Sequence, residues 1–225
     1  MKQLFLLSLL AMAAHAAPVT WEPIKDVKDD LGIATNGVAV KAYTFGSGRT
    51  PTINGIAFRD FAGQQLDRQT LGSRFSGFWN VTGASRELLD GAIQDTSSLD
   101  KPKAQRVTLN GLIPGRKYQI QLWVADRRTW PGLKPAFASS AQTVQASPQD
   151  SNIPTLRWQG GDNGPSAQSV IGTFTADKAR LTLTFTPTAG FFNGRNWFSS
   201  QLNALVLLDQ SPGTPPPFVA VFSKM

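Results

Sequence analysis

The chain has 225 residues, 22 Lys plus Arg against 15 Asp plus Glu, a formal net charge of +7, one His and no Cys. A chain of this length buries roughly 70% of its unfolded surface in its own core, so it needs no disulfide staples. The sole His, His15, lies in an apolar N-terminal stretch. A chain trimmed there has neither His nor Cys, which excludes Ser-His-Asp catalysis, Cys-His catalysis and zinc sites built from those residues.

The opening "MKQLFLLSLLAMAAHA" places Lys2 before the apolar run Leu4 to Ala14, then Ala14-His15-Ala16. That is the pattern of a secretory signal cleaved after Ala16; the run is too short to span a bilayer as a helix. No later stretch of about 18 apolar residues occurs, so no membrane span is expected. The expected organisation is a signal over 1–16, one β-sandwich domain over 17–209 and a Pro-rich tail over 210–225. The expected location is secreted or periplasmic.

Along the chain, Gly and Pro punctuate short alternating segments. "VAVKAYTF" (38–45) is β-branched and aromatic, and "TINGIAFRDF" (52–61) carries an Asn-Gly hairpin signal. A further strand is expected around Phe75 to Val81. "SRELLDGAI" (85–93) reads as a short helix on a sheet edge, with Leu88, Leu89, Ala92 and Ile93 on one stripe and Ser85 as its cap. "RVTLNGLIPGRKYQIQLWVAD" holds two strands. In the second, Tyr118, Ile120, Leu122 and Val124 share one face and Lys117, Gln119, Gln121 and Trp123 the other, the pattern of a half-buried strand. "TLRWQG" and "SVIGTFTAD" follow, and in "ARLTLTFTPT" Leu181, Leu183 and Phe185 oppose three threonines. "QLNALVLLD" (201–209) is apolar on both faces and reads as one central strand. Many short strands and a single helix give an all-β fold, an antiparallel jelly-roll β-sandwich with one short helix.

The ordered phrases "GVAVKAYTFGSG", "TINGIAFRDF", "ELL", "VTLNGLIPGRKYQIQLWVADRR", "IGTFTADKARLTLTFTP" and "LNALVLLD" carry a resemblance. Together they are similar to secreted bacterial galactose-binding-like jelly rolls, used widely as carbohydrate-binding modules and found in surface proteins with C-terminal sorting tails. The resemblance runs from about Trp21 to Asp209. Within it, Leu109, Gly111, Pro114, Gly115 and Tyr118 form a strand-turn-strand phrase in which the glycines and proline set the turn. It implies sugar binding by fold-level analogy, and a structural calcium ion is a candidate, with Asp29, Asp30 and Asp162 as the nearest acids.

Two segments offer binding chemistry. "ADRRTWPGLKPAF" brings Asp126, Arg127, Arg128 and Trp130 to the end of a strand; "GFFNGRNWFSS" brings Asn193, Arg195, Asn196 and Trp197 just before the last one. Sugar recognition wants an aromatic plate with amides, carboxylates or guanidinium groups around it, and both segments supply that mixture. The structural alternative is core: Phe191, Phe192 and Phe198 are expected to be buried, since each exposed Phe forgoes roughly 1.5–3 kcal/mol. Glu22 and Glu87 are the only glutamates and do not suggest a catalytic pair. No basic run denser than "KPKAQR" or Arg127-Arg128 occurs, so a nucleic-acid partner is not expected. The pI near 10.0 still favours anionic surfaces. The expectation is an exported, non-catalytic module for carbohydrate or anionic polysaccharide. The alternatives are a matrix or cell-surface protein that self-associates through its "FVAVFSKM" tail, and, behind both, a carboxylate-based glycan hydrolase or lyase.

Overall fold

The computed structural model describes residues 18–27, 31–61, 68–69, 74–76, 83–98, 103–126, 138–159, 167–192, 195–196, 198–211 and 213. The leader, most of the tail and residues 77–82 lie outside them. In chain order the strands are β1 (Thr20–Trp21), β2 (Lys25–Asp26), β3 (Val38–Thr44), β4 (Thr52–Ile53), β5 (Ile56–Ala57), β6 (Arg59–Asp60), β7 (Arg68–Gln69) and β8 (Arg74–Ser76). Helix α1 (Ala84–Leu89) follows, then β9 (Gly91–Ser98), β10 (Gln105–Asn110), β11 (Lys117–Ala125), β12 (Ala138–Gln145) and β13 (Thr155–Gln159). The last are β14 (Ala167–Thr175), β15 (Arg180–Phe192), β16 (Arg195–Asn196), β17 (Phe198–Leu202) and β18 (Ala204–Asp209).

Among the described residues these strands form two main sheets. One runs β1-β14-β11-β18-β3-β6, with β2 beside β1 on the outer edge of β14; the other runs β13-β12-β15-β10-β7, with β16 folded back on β15. Pairing is antiparallel except for β3 with β6. The chain crosses between the sheets at β10 to β11, β11 to β12, β13 to β14 and β14 to β15, so the expected all-β sandwich is present. A smaller sheet, β17-β9-β8, meets the main sheets through β17, which contacts β15, β12 and β11.

Period-two alternation explains the core. Tyr118, Ile120, Leu122 and Val124 of β11 face Leu181, Leu183 and Phe185 of β15, with Val107 and Leu109 of β10 alongside. The Asn54-Gly55 pair turns β4 into β5 with φ of 51° and 77°, the left-handed geometry of a two-residue hairpin. In "NGLIPG", Gly111 and Gly115 also take positive φ, and the Tyr118 hydroxyl accepts a hydrogen bond from the Ile113 amide at 2.9 Å. That turn carries the chain from one sheet to the other, so its two strands are not hairpin partners. Pro187 brings no N–H to β15, and the β12–β15 register shifts there.

Three expectations need correction. The helix ends at Leu89 and does not reach Ile93; residues from Gly91 onward form β9, and the residue before the helix is Gly83, so Ser85 lies within the helix and is not at its cap position. Strand β11 is buried from Tyr118 to Ala125 on both faces, not half-buried. The segment "QLNALVLLD" is two strands, because Asn203 breaks it into β17 in the small sheet and β18 in the large one. Strand β18 itself is central and wholly buried, as its two apolar faces imply.

The outer face of β11 is buried because a second apolar layer lies on the large sheet. Leu31 and Ile33, Ile56, Phe58, and Leu88 and Leu89 of α1 pack over Trp123, Ala204, Val206 and Leu208. Trp123 is fully buried, meets Phe58 edge-on and donates its indole N–H to the Leu31 carbonyl at 3.2 Å. The Gln121 amide accepts from Ala34 N and donates to Gly32 O, each at 2.9 Å. The segment 31–36 is thereby strapped to the sheet. Trp123 is a pillar of this layer and not a surface platform.

At the far end of β18, Asp209 takes the Arg116 guanidinium at 2.6 Å and the Ser211 amide at 2.9 Å. Burial works against ionisation of this carboxyl. The Arg116 and Ser211 hydrogen bonds and the Arg116 charge outweigh it and hold Asp209 below its ordinary 3.8. A depressed folded-state value contributes stability above the unfolded value and loses it as pH falls through the folded one. Unfolding free energy should therefore decline below pH 3.8. In Asp209→Asn that acid decline should be shallower and stability at neutral pH lower, as urea melts across pH 2 to 7 would show.

Candidate functional site

The strand ends show where the loops lie. Ala138 at the start of β12 sits opposite Phe192, and Ser139 opposite both Phe191 and Gln159. Ala167 at the start of β14 sits opposite Ala125, and its carbonyl accepts from Val27 N at 2.9 Å. Connections 127–137, 160–166, 193–194 and 28–30 therefore all spring from neighbouring strand termini at one end of the sandwich. The turn holding Arg116 and the exit of the chain past Asp209 lie at the opposite end of β11.

Of the residues singled out by sequence, Asp126 is described and is only 5% exposed, so its carboxyl belongs to the wall beneath the loop and offers a ligand little surface. Arg195 and Asn196 form β16, folded back on Phe191 and Phe192 as a hairpin. Phe198, expected in the core, is half-buried. Arg127, Arg128, Trp130, Asn193 and Trp197 lie outside the described residues, as do Asp29, Asp30 and Asp162. The topology nonetheless joins segments that are far apart in sequence, because the described ends of both binding segments share the same strand termini.

Beneath this end is a buried polar network that sequence reasoning missed. Asn203 is fully buried; its amide donates to the carbonyls of Leu89, Gly91 and Ala125 at 3.0, 2.8 and 3.1 Å and accepts from Ala125 N at 2.8 Å. Gln201 donates to Asn203 Oδ1 at 3.0 Å and also to the Ala125 carbonyl. Gln142 pairs with the Gln201 main chain like a peptide, donating at 2.7 Å and accepting at 2.9 Å. These three amides tie α1, β9, β11, β12 and β17 together under the loops. The only sequence signal was a polar residue within an apolar run, which does not reveal its partners.

Beside the network, at the open edge between the sheets, is a groove of about 800 Å³ with Asp26, Ser140, Thr155, Arg157, Gln168 and Thr188 in its lining. Gln168 accepts from the Arg157 amide at 2.7 Å and donates to Asp26 Oδ1 at 2.8 Å, bridging β13, β14 and β2. Asp26 and Arg157 are 131 positions apart, so no local motif could have paired them. Glu22 and Glu87 are both exposed and neither is in the lining. Asp150 is committed to structure, accepting from Val19 N, Ala146 N, Ser147 N and the Trp21 indole at 2.7–3.3 Å. Among the described residues, no three His, Cys, Asp or Glu cluster as metal ligands, and no helix is long and apolar enough to cross a membrane.

No protein-family model matches the chain, and no curated protein matches it. Among solved structures it is similar to the plant receptor-like kinase ANX1, at 11% identity and a TM-score of 0.48 over 80% of this chain and 51% of that one. It is similar to the ANX1 ectodomain from Arabidopsis thaliana, at 12% and 0.48 over 77% and 42%. A third similarity is to the complex of the plant peptide RALF23 with FER and LLG2, at 11% and 0.42 over 79% and 52%. The chain thus spans about half the length of those chains. A structure of carbohydrate-binding modules from the β-sandwich superfamily aligns at a TM-score of 0.11. At these scores the likenesses assign no function, and the sandwich stands on its own strand order.

Proposed function

We propose that this protein is an exported, non-catalytic binding module whose ligand is carbohydrate, taken at the end of the sandwich where 127–137, 160–166 and 193–197 emerge. The observation that carries this reading is the convergence of those connections on one set of strand termini above the Gln142–Gln201–Asn203 network. A rigid scaffold with variable loops at one end is the usual design of a recognition surface. The loop sequences add Arg127, Arg128, Trp130, Arg195 and Trp197, the residue types that stack on sugar rings and bond hydroxyls. The leader pattern supports export.

The test is a glycan array followed by calorimetry on the chain starting at Ala17. Binding to at least one glycan is expected, with affinity falling about tenfold or more in Arg195→Ala/Trp197→Ala, the loss of a charged hydrogen bond and a stacking plate. A folded protein that binds no glycan on the array would overturn the proposal.

A further inference from the structure

The groove between β13 and β14 holds a charge pattern that the loops alone do not account for. Gln168 is 8% exposed and both ends of its amide are used, one on the Arg157 main chain and one on Asp26. That fixes Asp26 Oδ1 and pins the free edge of β13 to β14. The Arg157 side chain is exposed and forms no ion pair among the described residues. Thr155 and Thr188 also line the groove, and its volume of about 800 Å³ is within the usual range of ligand clefts.

The lining selects among ligands. Trp158, its largest apolar member, is 2% exposed, so an apolar ligand would gain little burial. A phosphate monoester carries up to two negative charges and would meet more repulsion from the Asp26 carboxylate than a singly charged group does. A single carboxylate flanked by hydroxyls suits both walls. Its two oxygens take the planar Arg157 fork, and its hydroxyls donate to Asp26, an acceptor with lone pairs to spare. We infer that this groove is a specificity site for a sugar acid, with Arg157 binding the carboxylate and the Gln168-anchored Asp26 binding neighbouring hydroxyls. The inference rests on the carbohydrate reading and names the class of sugar. The formal charge of +7 adds long-range attraction for such a ligand.

The experiment is calorimetry with a trimer of glucuronic acid and with its neutral methyl ester, on the wild type and on Arg157→Gln. The acid should bind the wild type about tenfold more tightly than the ester, as expected for a hydrogen-bonded charge pair. Arg157→Gln should bring the two within about twofold of each other by weakening the acid far more than the ester, a selective loss that misfolding would not produce. A preference that survives in Arg157→Gln, or no preference in the wild type, would overturn the inference. So would failure of both trimers while other glycans bind on the array, and in that case the carbohydrate reading would stand. Failure of every glycan would remove both.

Discussion

Asn203→Ala should lower the unfolding free energy by about 4 kcal/mol, with a fall in Tm of about 10 °C. The Asn203 side chain is fully buried and satisfies three carbonyls and one amide of the main chain. Truncation removes the Asn203 partner from each; the Ala125 carbonyl keeps Gln201, and each of the others that finds no substitute costs about 1–3 kcal/mol. It also frees Gln201, which bonds Asn203 Oδ1. Asn203→Asp sharpens the test. It keeps the acceptor for Ala125 N but loses every donor and places a negative charge against three carbonyls, so it should destabilise more than Ala. Denaturant melts of the two variants check both the size and the order of the effects. Asn203→Ala melting within about 1 kcal/mol of wild type would show that the network is dispensable.

Trp123→Ala should cost about 4 kcal/mol by a different route. The loss is chiefly of apolar packing against Phe58, Leu88 and Leu89, and it undoes the layer on the outside of the large sheet. Because the 31–36 strap is held through Trp123 and Gln121, the Ala34 amide should exchange with solvent much faster than in wild type. The facing core of Ile120 and Leu183 should keep its protection better than the strap does. Trp123→Phe keeps most of the packing and orphans only the Leu31 carbonyl, so it should cost about 1–2 kcal/mol. Amide exchange by mass spectrometry distinguishes local release of the strap from global loosening.

Much of the fold was legible because period-two patterns record burial directly. Leu181, Leu183 and Phe185 announced the inner face of β15, and the two-sided apolar run after Asn203 announced a central strand. What failed was whatever depended on layers. Gln119, Gln121 and Trp123 read as a wet face because their positions are polar or amphipathic; the cover comes from Leu31, Ile33, Ile56, Phe58, Leu88 and Leu89, which no local pattern on β11 encodes. The strand break at Asn203 was hidden for a similar reason, since a lone Asn shows its value only through carbonyls more than a hundred residues away. The loop end was legible as chemistry, in the Arg, Trp and Asn of two segments, while their convergence needed the strand register. The groove was not legible at all, because Asp26, Arg157 and Gln168 meet only through tertiary structure.

The central claim is that ligand meets the sandwich at the loop end and its adjoining groove. Amide chemical-shift mapping with a bound glycan tests this directly. Shifts are expected at Ala125, Ser140, Arg157, Gln168 and Asn196, with Lys117 and Asp209 at the far end silent. Shifts centred on Lys117 and Asp209, or spread evenly over both ends, would contradict it.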